Sequence, residues 1–471
     1  MSLFVASRVE TAQRHGKRLV ELALSRLTSH WIALACVLAA AAVAQAVTLL
    51  QHPLVVRDND STIYLRSAQA IAASLHFFNP TRTPGYPALL ALVLGTSATE
   101  PYHWSRVTTM QAGLMVVAAV ELYALLFRLT HRRWIAAAAA ALVAVNLYIA
   151  DWERVIRVEA VSYVAAVTLL LLLERYVRTA RRSALIWLVV AMFITTMIRP
   201  NFIFFPAMIF GLLALRQARL RRLRAHWKAL AVASAVSYAL VLGYMAGNLA
   251  TSGYFGLTDI TSMNEFGKVL EYGMQDENSA PRYTQLRADV NAYAALRHRN
   301  GTTYLEPYAF VADSPVQHAA HGYTYAFLGS YAQSIIIHHP VEFAVKSLPD
   351  VISVWLSPPT LAYAPYSQQP RWIAALRRFS QVELLLYAFL PLLLALLAFA
   401  AWRHPAHEAN FMLFTMLALC AVSVLVIAFG GYSEWYRLRF PLDFTVIAVT
   451  VVVGIELVAR AIHRTLGLIQ L

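Results

Sequence analysis

Long apolar runs separated by short polar stretches dominate the hydrophobic pattern of the chain. The first run, residues 31–50, reads WIALACVLAAAAVAQAVTLL and has the roughly 20 residues that a helix needs to cross a bilayer core. Comparable runs recur, and the ten predicted spans are residues 31–50, 106–127, 134–150, 158–175, 184–198, 201–215, 229–250, 382–401, 410–429 and 440–458. The pattern therefore predicts an all-α polytopic membrane protein with about ten transmembrane helices.

The fifth and sixth predicted spans are short and are separated only by Arg199, Pro200 and Asn201. Proline disfavours the helical conformation in the residue that precedes it. We therefore predict a tight hairpin at this point in place of one very long helix.

Composition supports a membrane protein and argues against other classes. Of the 471 residues, 59% are hydrophobic and 14% are charged, whereas soluble domains have about 45–50% apolar and about 25% charged residues. A soluble enzyme and a nucleic-acid binder are thereby disfavoured. The two cysteines, Cys36 and Cys420, lie in apolar runs, which argues against a disulfide scaffold. Neither GxxxxGK(S/T) nor GxGxxG occurs, so a nucleotide substrate is not expected.

The net charge of +14 has a topological explanation. Arginines in short loops concentrate in 128–133, 175–182 and 216–228, which follow alternate predicted spans. Because cytoplasmic loops collect Lys and Arg, we predict that both termini are cytoplasmic and that the two long segments lie on the outer face. The membrane is expected to be a bacterial plasma membrane. The basic N-terminal segment lacks a small-residue cleavage site, so we expect the first span to be retained.

The chain accordingly divides into four predicted parts. They are a cytoplasmic segment 1–30, a transmembrane core 31–250 with a first outer loop 51–105, a mainly helical outer-face domain 251–381, and C-terminal transmembrane helices 382–471.

The first outer loop carries two carboxylates close to the end of the first span, Asp58 and Asp60. Apolar residues then recur at helical spacing over 63–75, which predicts an amphipathic helix along the membrane interface. Asp60 is expected at or near the N-cap, where a carboxylate accepts backbone N–H bonds. A cap and a catalytic role are compatible, because a cap can orient a base. Farther on, RTPGYP at 82–87 predicts a rigid corner between two helices.

These elements together resemble the first periplasmic loop of the GT-C glycosyltransferases. DSTIY, from Asp60 to Tyr64, is followed by a helical stretch and then by RTPGYPALLAL at 82–92. The branch is that of the dolichyl-phosphate-mannose–protein mannosyltransferases, which includes the bacterial aminoarabinose transferases of lipid A. The resemblance implies a GT-C fold, catalysis at Asp60, and substrate binding by Tyr64, Arg82 and Tyr86.

Two acids near the fourth predicted span fit the same resemblance. Glu159 resembles the second acidic position of the family, and Glu153 an acid one and a half turns earlier. Acids that enter a membrane span are costly and tend to mark function. The alternative is an interfacial acid that pairs with Arg154 or Arg157 and has no other role.

Arginines at predicted outer span ends run against the positive-inside rule. Arg199, before a proline, resembles a recurrent Arg-Pro of the family, and Tyr436, Arg437 and Arg439 resemble its late signature. The order is Tyr-Arg here, so either arginine can be the corresponding one. Such arginines call for an anionic partner, and a phosphodiester fits because Arg binds phosphate bidentately. Lys346 is either a further contact for a lipid phosphate or a solvated side chain.

The resemblance implies an inverting transfer of a sugar from a polyprenyl-phosphate-linked donor to a lipid, glycan or protein acceptor. Asp60 would be the general base, with Asp58 as the fallback. Glu159 and Glu153 would position the acceptor or the base. The arginines would stabilise the leaving phosphate, namely Arg82, Arg199, Arg437 and Arg439.

Two further questions stay open from the sequence. A divalent Mg or Mn ion at Asp58 and Asp60 is possible, although arginines can replace it, and the adjacent His338 and His339 are interpreted as a helix end and not as metal ligands. The alternative function is a non-catalytic polyprenyl-lipid carrier or flippase, or an assembly subunit. A transporter usually has polar groups near the bilayer midplane, whereas most charges here lie at span ends. Partners are expected to include the lipid bilayer and no nucleic acid.

Overall fold

The structure is a computed structural model that describes residues 28–278, 280–299, 307–313, 323–358, 370–432 and 435–469. These residues form helices joined by turns, and their β-type pairing is one bridge between Val56 and Val155. The predicted all-α polytopic fold is confirmed. Most of the predicted cytoplasmic segment 1–30 lies outside the described residues.

Twenty α-helices follow one another along the described part of the chain. They are α1 (Thr28–Gln51), α2 (Asn59–Ser74), α3 (Gly85–Leu94), α4 (Trp104–Thr130), α5 (Arg133–Ala144), α6 (Leu147–Ala150), α7 (Glu159–Thr179), α8 (Arg182–Ile198), α9 (Phe205–Arg219), α10 (Leu223–Ser252), α11 (Ile260–Glu271), α12 (Thr284–Arg299), α13 (Pro307–Asp313), α14 (Tyr325–His338), α15 (Pro340–Leu356), α16 (Arg371–Gln381), α17 (Glu383–Arg403), α18 (Glu408–Gly430), α19 (Trp435–Arg439) and α20 (Asp443–Ile469).

Eight helical segments of the described residues are long and apolar enough to cross a membrane, compared with the ten that the sequence predicts. They are Thr28–Gln51, Pro101–Thr130, Glu159–Thr179, Pro200–Arg219, Leu223–Ser252, Arg371–Arg403, Glu408–Gly430 and Tyr436–Arg460. All of them overlap predicted spans, so the difference concerns the remaining two.

Those two predicted spans form helices that are short or broken. Helix α8 has 17 residues and reaches about 25 Å, less than the roughly 30 Å of a hydrocarbon core. The pair Arg133–Ala144 and Leu147–Arg154 is bent by 58°. The first helix ends at the C-cap Val145, and Asn146 caps the next helix by accepting the N–H of Tyr148 at 3.0 Å. Counting the bent pair as one span gives nine.

The first turn of α2 sets the positions of both acids of the first loop. Asp58 is the N-cap: its carboxylate accepts the N–H of Ser61 at 2.8 Å, and Ser61 Oγ accepts the N–H of Asp58 at 3.1 Å. This reciprocal capping box fixes the start of the helix. Asp60, expected at or near the cap, is the second residue of α2. The capping function therefore falls to Asp58.

The corner between α2 and α3 packs against the end of α8. The RTPGYP stretch forms the predicted corner, and helix α3 begins within it at Gly85. A Cβ atom on Gly85 would lie 2.7 Å from backbone atoms of Met197 and Ile198, so the approach requires a residue without a side chain. This contact brings Arg82 and Arg199 to the same end of the helical bundle.

The second long segment forms α11–α15, which surround a separate apolar core rich in phenylalanine and tyrosine. The fully buried Lys268 of α11 is ion-paired with Asp350 of α15, which also accepts a hydrogen bond from Tyr272. Helix α15 in turn packs against α18, so the segment is attached to the bundle. The apolar segment Arg371–Arg403 begins inside the predicted outer domain 251–381.

Candidate active site

A polar cavity of about 410 Å³ lies where α2 and α7 begin and α8 ends. Its walls come from the first loop, from the segments before α7 and after α8, from α11 and α13, and from the segment around α19. The charged residues that line it form what we call the arginine–carboxylate cluster: Asp58, Asp60, Glu159, Arg82, Arg157, Arg199 and Arg437.

Asp60 lies at the centre of this cluster. Its Oδ1 accepts a hydrogen bond from Arg82 Nη2 at 2.5 Å, and its Oδ2 accepts one from Arg437 Nη2 at 2.6 Å. Arg157 Nη2 is 4.0 Å from the same Oδ2. The Asp60 side chain keeps 23% of its surface exposed, so a reactant in the cavity can reach it.

Glu159 is fully buried at the first position of α7. Its Oε1 accepts a hydrogen bond from Arg437 Nε at 2.6 Å and lies 3.6 Å from Arg199 Nη1. Arg437 therefore bridges two different carboxylates, those of Asp60 and Glu159, with two nitrogens of one guanidinium. The alternative that Glu159 pairs only with Arg154 or Arg157 is therefore wrong, because its partners are Arg437 and Arg199.

Arg199 joins the hairpin tip to α19. Its Nη2 donates to the carbonyl oxygens of Arg437 at 3.0 Å and Leu438 at 3.3 Å. The predicted break between the two short spans is present, with Arg199 in an extended conformation before the short turn Pro200–Phe204. Arg199 therefore holds the backbone that carries Arg437 as well as facing Glu159.

Asp58 is bound on two sides. Besides capping α2, it is ion-paired with Arg157. The sequence suggests Arg157 only as an ion-pair partner of an interfacial acid. Its position two residues before Glu159 is the signal that could have identified it as a cavity residue. The neutral wall residues were not identified either, because uncharged polar residues in a long loop give no distinguishing pattern; they are Asn201, Thr258, Thr261, Asn264, Tyr308 and Tyr432.

The tyrosines of the first loop form a layer below Asp60. The Tyr64 ring lies 5.0 Å from the Arg82 guanidinium carbon and packs edge-on against Tyr86, with ring centroids 5.0 Å apart. Tyr86 is fully buried and donates to Gln111 Oε1 at 2.7 Å. Tyr64 thus lines the cavity, whereas Tyr86 supports it from behind.

Of the two arginines of the late signature, Arg437 lines the cavity and Arg439 does not. Arg439 is fully buried, bonds Asp443 at 3.0 Å and donates to the carbonyl oxygens of Val354 and Trp355. Side chains two positions apart on a helix point in different directions. The predicted phosphate contact at Arg439 is therefore corrected to a structural bond between α19, α20 and α15.

Three other predicted residues also lie outside the cavity. Glu153 is buried and accepts from Thr48 Oγ1 at 2.6 Å, Lys346 bonds Glu342 at 2.8 Å and the Tyr272 carbonyl at 2.9 Å, and Tyr436 is buried. None of them is brought together with Asp60, because each belongs to a surface that packs on another element.

The cluster does not fit a divalent cation well. Each of its carboxylates is already paired with at least one arginine, so a cation would have to displace a guanidinium. Among the described residues, the group with metal-ligand spacing is Glu277, His339 and Glu342, which does not line the cavity. Helix α14 ends at His338, as the sequence predicts.

Comparisons with known proteins add the following. No protein-family model and no curated protein sequence matches the chain. The chain is similar to the archaeal oligosaccharyltransferase AglB from Archaeoglobus fulgidus, in complex with an inhibitory peptide and a dolichol-phosphate, at 12% identity and a TM-score of 0.45, over 91% of this chain and 52% of that chain. It is also similar to ArnT from Cupriavidus metallidurans bound to undecaprenyl phosphate, at 14% identity and a TM-score of 0.35, over 90% of this chain and 78% of that chain.

The chain thus spans about half the length of the AglB chain. At these identities and TM-scores the likenesses assign no activity to the chain.

Proposed function

We propose that the protein is a membrane glycosyltransferase that moves a sugar from a polyprenyl-phosphate-linked donor to a hydroxyl or amine acceptor. The observation that carries the proposal is the convergence of three carboxylates and four arginines on one cavity at the span ends. Such a donor joins a long apolar chain to a phosphodiester. Its enzyme therefore needs cations where an apolar bundle meets a polar cavity, and the resemblance of the first loop supports the same assignment.

The charge of the cluster suits this donor. Four guanidinium groups against three carboxylates leave one positive charge in excess, and a phosphodiester carries one negative charge. Arg82, Arg199 and Arg437 are the arginines that would hold the phosphate. Arg157 is instead ion-paired with Asp58, the N-cap of α2.

The reaction that we propose is a single in-line displacement that inverts the anomeric carbon. The acceptor atom bonds to that carbon and gives its proton to the Asp60 carboxylate. The bond from the carbon to the phosphate oxygen breaks, and the polyprenyl phosphate leaves with the electron pair. The guanidinium groups stabilise the charge that develops on the leaving oxygen.

The proposed base and the proposed phosphate site share two arginines. Asp60 is bonded to Arg82 and Arg437, and a bound phosphate would attract the same two guanidinium groups. Glu159 also bonds Arg437 and keeps it at the cavity. No step requires a divalent cation.

We place this chemistry on the outer face of a bacterial plasma membrane. The support is the arginine content of the turns at the far ends of α4, α7 and α9, which is typical of cytoplasmic loops.

The test is a transfer assay with purified protein and labelled polyprenyl-phosphate sugars. We expect acceptor-dependent release of polyprenyl phosphate, which Asp60→Asn lowers by about 10²–10⁴-fold, the usual share of a general base. Donor binding should be retained. The control is Glu342→Gln, a carboxyl outside the cavity. Full transfer by Asp60→Asn would remove the base assignment, and lipid translocation without release would favour a carrier.

A further inference from the structure

We propose that helix α15 is embedded in the bilayer leaflet at the cavity end of the bundle, with one apolar face against lipid acyl chains. The helix belongs to the segment for which the sequence predicts an outer-face domain, and it is not one of the eight described segments that are long and apolar enough to cross a membrane. The inference concerns how that segment is attached to the membrane, so it does not depend on the proposed reaction.

Helix α15 has two apolar faces, of which one is unpartnered. Phe343, Ser347 and Val354 are buried against the rest of the protein. With 3.6 residues per turn, the opposite side of the helix carries large apolar side chains that recur every three or four residues. Each of them exposes between 50% and 75% of its surface, and together they form what we call the α15 stripe: Val341, Val345, Leu348, Ile352 and Leu356.

The charged residues of α15 lie off this stripe, and each has a partner. Glu342 and Lys346 pair with each other at 2.8 Å, and Asp350 is paired with Lys268 of α11. A charge on the stripe would oppose contact with acyl chains, because charges are costly in the hydrocarbon layer. The stripe is therefore compatible with lipid along its whole length.

Contacts with two spans set the depth of α15. Trp355 Nε1 donates to the carbonyl of Tyr387 at 3.1 Å, and Tyr387 lies within the membrane-spanning segment Arg371–Arg403. Val354 belongs to an apolar cluster with residues in the last two turns of the span Glu408–Gly430. The C-terminal part of α15 therefore lies at the level of the spans and not above them.

The same level of α17 presents exposed apolar side chains. Leu385 and Phe389, two residues on either side of Tyr387, expose 63% and 56% of their surfaces. On a membrane span such side chains face acyl chains. Since Leu356 follows Trp355, one end of the α15 stripe lies at the depth at which α17 already contacts lipid.

A buried arginine keeps α15 in this position. Arg439 is fully buried, and its Nη1 donates to the carbonyl oxygens of Val354 at 2.9 Å and Trp355 at 2.8 Å. The helix cannot leave the spans without breaking these bonds, so the stripe has to be covered where it lies. An exposed apolar surface of this kind marks a binding surface, and the lipid around the spans is the partner that its depth favours.

The test measures where spin labels on the stripe lie relative to the bilayer. The full chain is reconstituted in nanodiscs of phosphatidylcholine and phosphatidylglycerol that contain no polyprenyl phosphate. The background is Cys36→Ser, because Cys420 is fully buried. Labels are attached to Leu348→Cys and Ile352→Cys separately, so that a second position remains if one variant fails to fold.

Two controls define the lipid and water environments. Phe389→Cys places a label on the exposed side of α17, and Ala292→Cys places one at an exposed position of α12 in the same segment as α15. Power saturation then measures collisions with oxygen, which concentrates in the bilayer, and with a nickel chelate, which stays in water.

We expect the oxygen-to-nickel collision ratio at Leu348 and Ile352 to resemble the ratio at Phe389 and to exceed the ratio at Ala292 severalfold. The ratio should also rise from Val341→Cys to Ile352→Cys, because the C-terminal end of α15 lies deeper. Nickel access at both stripe positions as high as at Ala292 would overturn the inference.

Two other occupants of the stripe would give different results. A second copy of the chain would shield the labels from both reagents and would broaden their spectra by spin–spin coupling. The chain of a polyprenyl phosphate would change the collision ratios at Leu348 and Ile352 only after that lipid is added. Either result would overturn the inference, whereas a high ratio that added polyprenyl phosphate leaves unchanged would support it.

Discussion

Arg437 and Asp60 lie 377 positions apart in the sequence, and Arg437 Nη2 donates to Asp60 Oδ2 over 2.6 Å. The bond joins the segment before the last span to the loop after the first span. It also makes the cavity depend on the topology, because Asp60 is held by a group that is in place only when both ends of the bundle are assembled.

The two arginines of α19 should therefore have separable roles. Arg437→Lys keeps the charge but cannot bond Asp60 and Glu159 with one planar group, so we expect transfer to fall by about 10–10³-fold. Arg439→Met breaks a fully buried pair with Asp443, which should cost about 3–5 kcal/mol of stability.

Thermal unfolding in detergent and transfer per folded molecule measure the two effects. We expect Arg437→Lys to leave Tm almost unchanged and Arg439→Met to lower it. If Arg437→Lys lowered Tm and Arg439→Met lowered transfer without changing Tm, Arg439 would be the arginine that acts on the phosphate.

Asp58 and Asp60 can be distinguished by their different partners. Asparagine is as good an N-cap as aspartate, so Asp58→Asn should keep α2 stable, whereas Asp58→Ala should lose about 1 kcal/mol. In transfer assays Asp58→Asn should retain more activity than Asp60→Asn. If Asp58→Asn were the less active of the two, the general base would be assigned to Asp58, which also caps α2.

The sequence identified most of the charged site because its residues are anomalies in a membrane protein. Arg82, Arg199 and Arg437 run against the positive-inside bias of the predicted topology. Asp60 and Glu159 are acids near predicted span ends, and all five residues line one cavity. Hydropathy fixes where a span ends, and spans that end at one membrane face bring their terminal residues together.

Side-chain direction could not be read in the same way. Arg439 and Glu153 have the residue types and positions that the resemblance favours, but each turns into protein packing. Asp60 and Asp58 are two residues apart, and only the start of α2 decides which one caps it. The neutral wall was missed because long loops place residues by tertiary packing and not by periodicity.

Gly85 should be intolerant of a side chain. A Cβ there would lie 2.7 Å from backbone atoms of Met197 and Ile198, which cannot move without shifting α8. We expect Gly85→Ala to cost about 1–3 kcal/mol by overpacking, and to lower transfer because Arg82 and Arg199 flank the contact. Gly113→Ala in α4 is the control, since apart from its chain neighbours and its own helix backbone no described atom lies within 4 Å of the added Cβ. Equal Tm values for both variants would contradict the close contact.

The stability effect of Asp259→Asn should depend on pH. Burial raises the folded-state pKa of Asp259, the residue before α11, to about 6, above its reference value of 3.8, so the folded protein binds the proton more tightly than the unfolded chain does. The wild type therefore loses stability as pH rises through this interval, while asparagine does not titrate. We expect Asp259→Asn to match the wild-type Tm near pH 4 and to exceed it near pH 7. The difference is at most about 3 kcal/mol, and is smaller because the side chain is partly exposed. A Tm difference that is constant between these pH values would contradict a raised pKa of Asp259 in the folded protein.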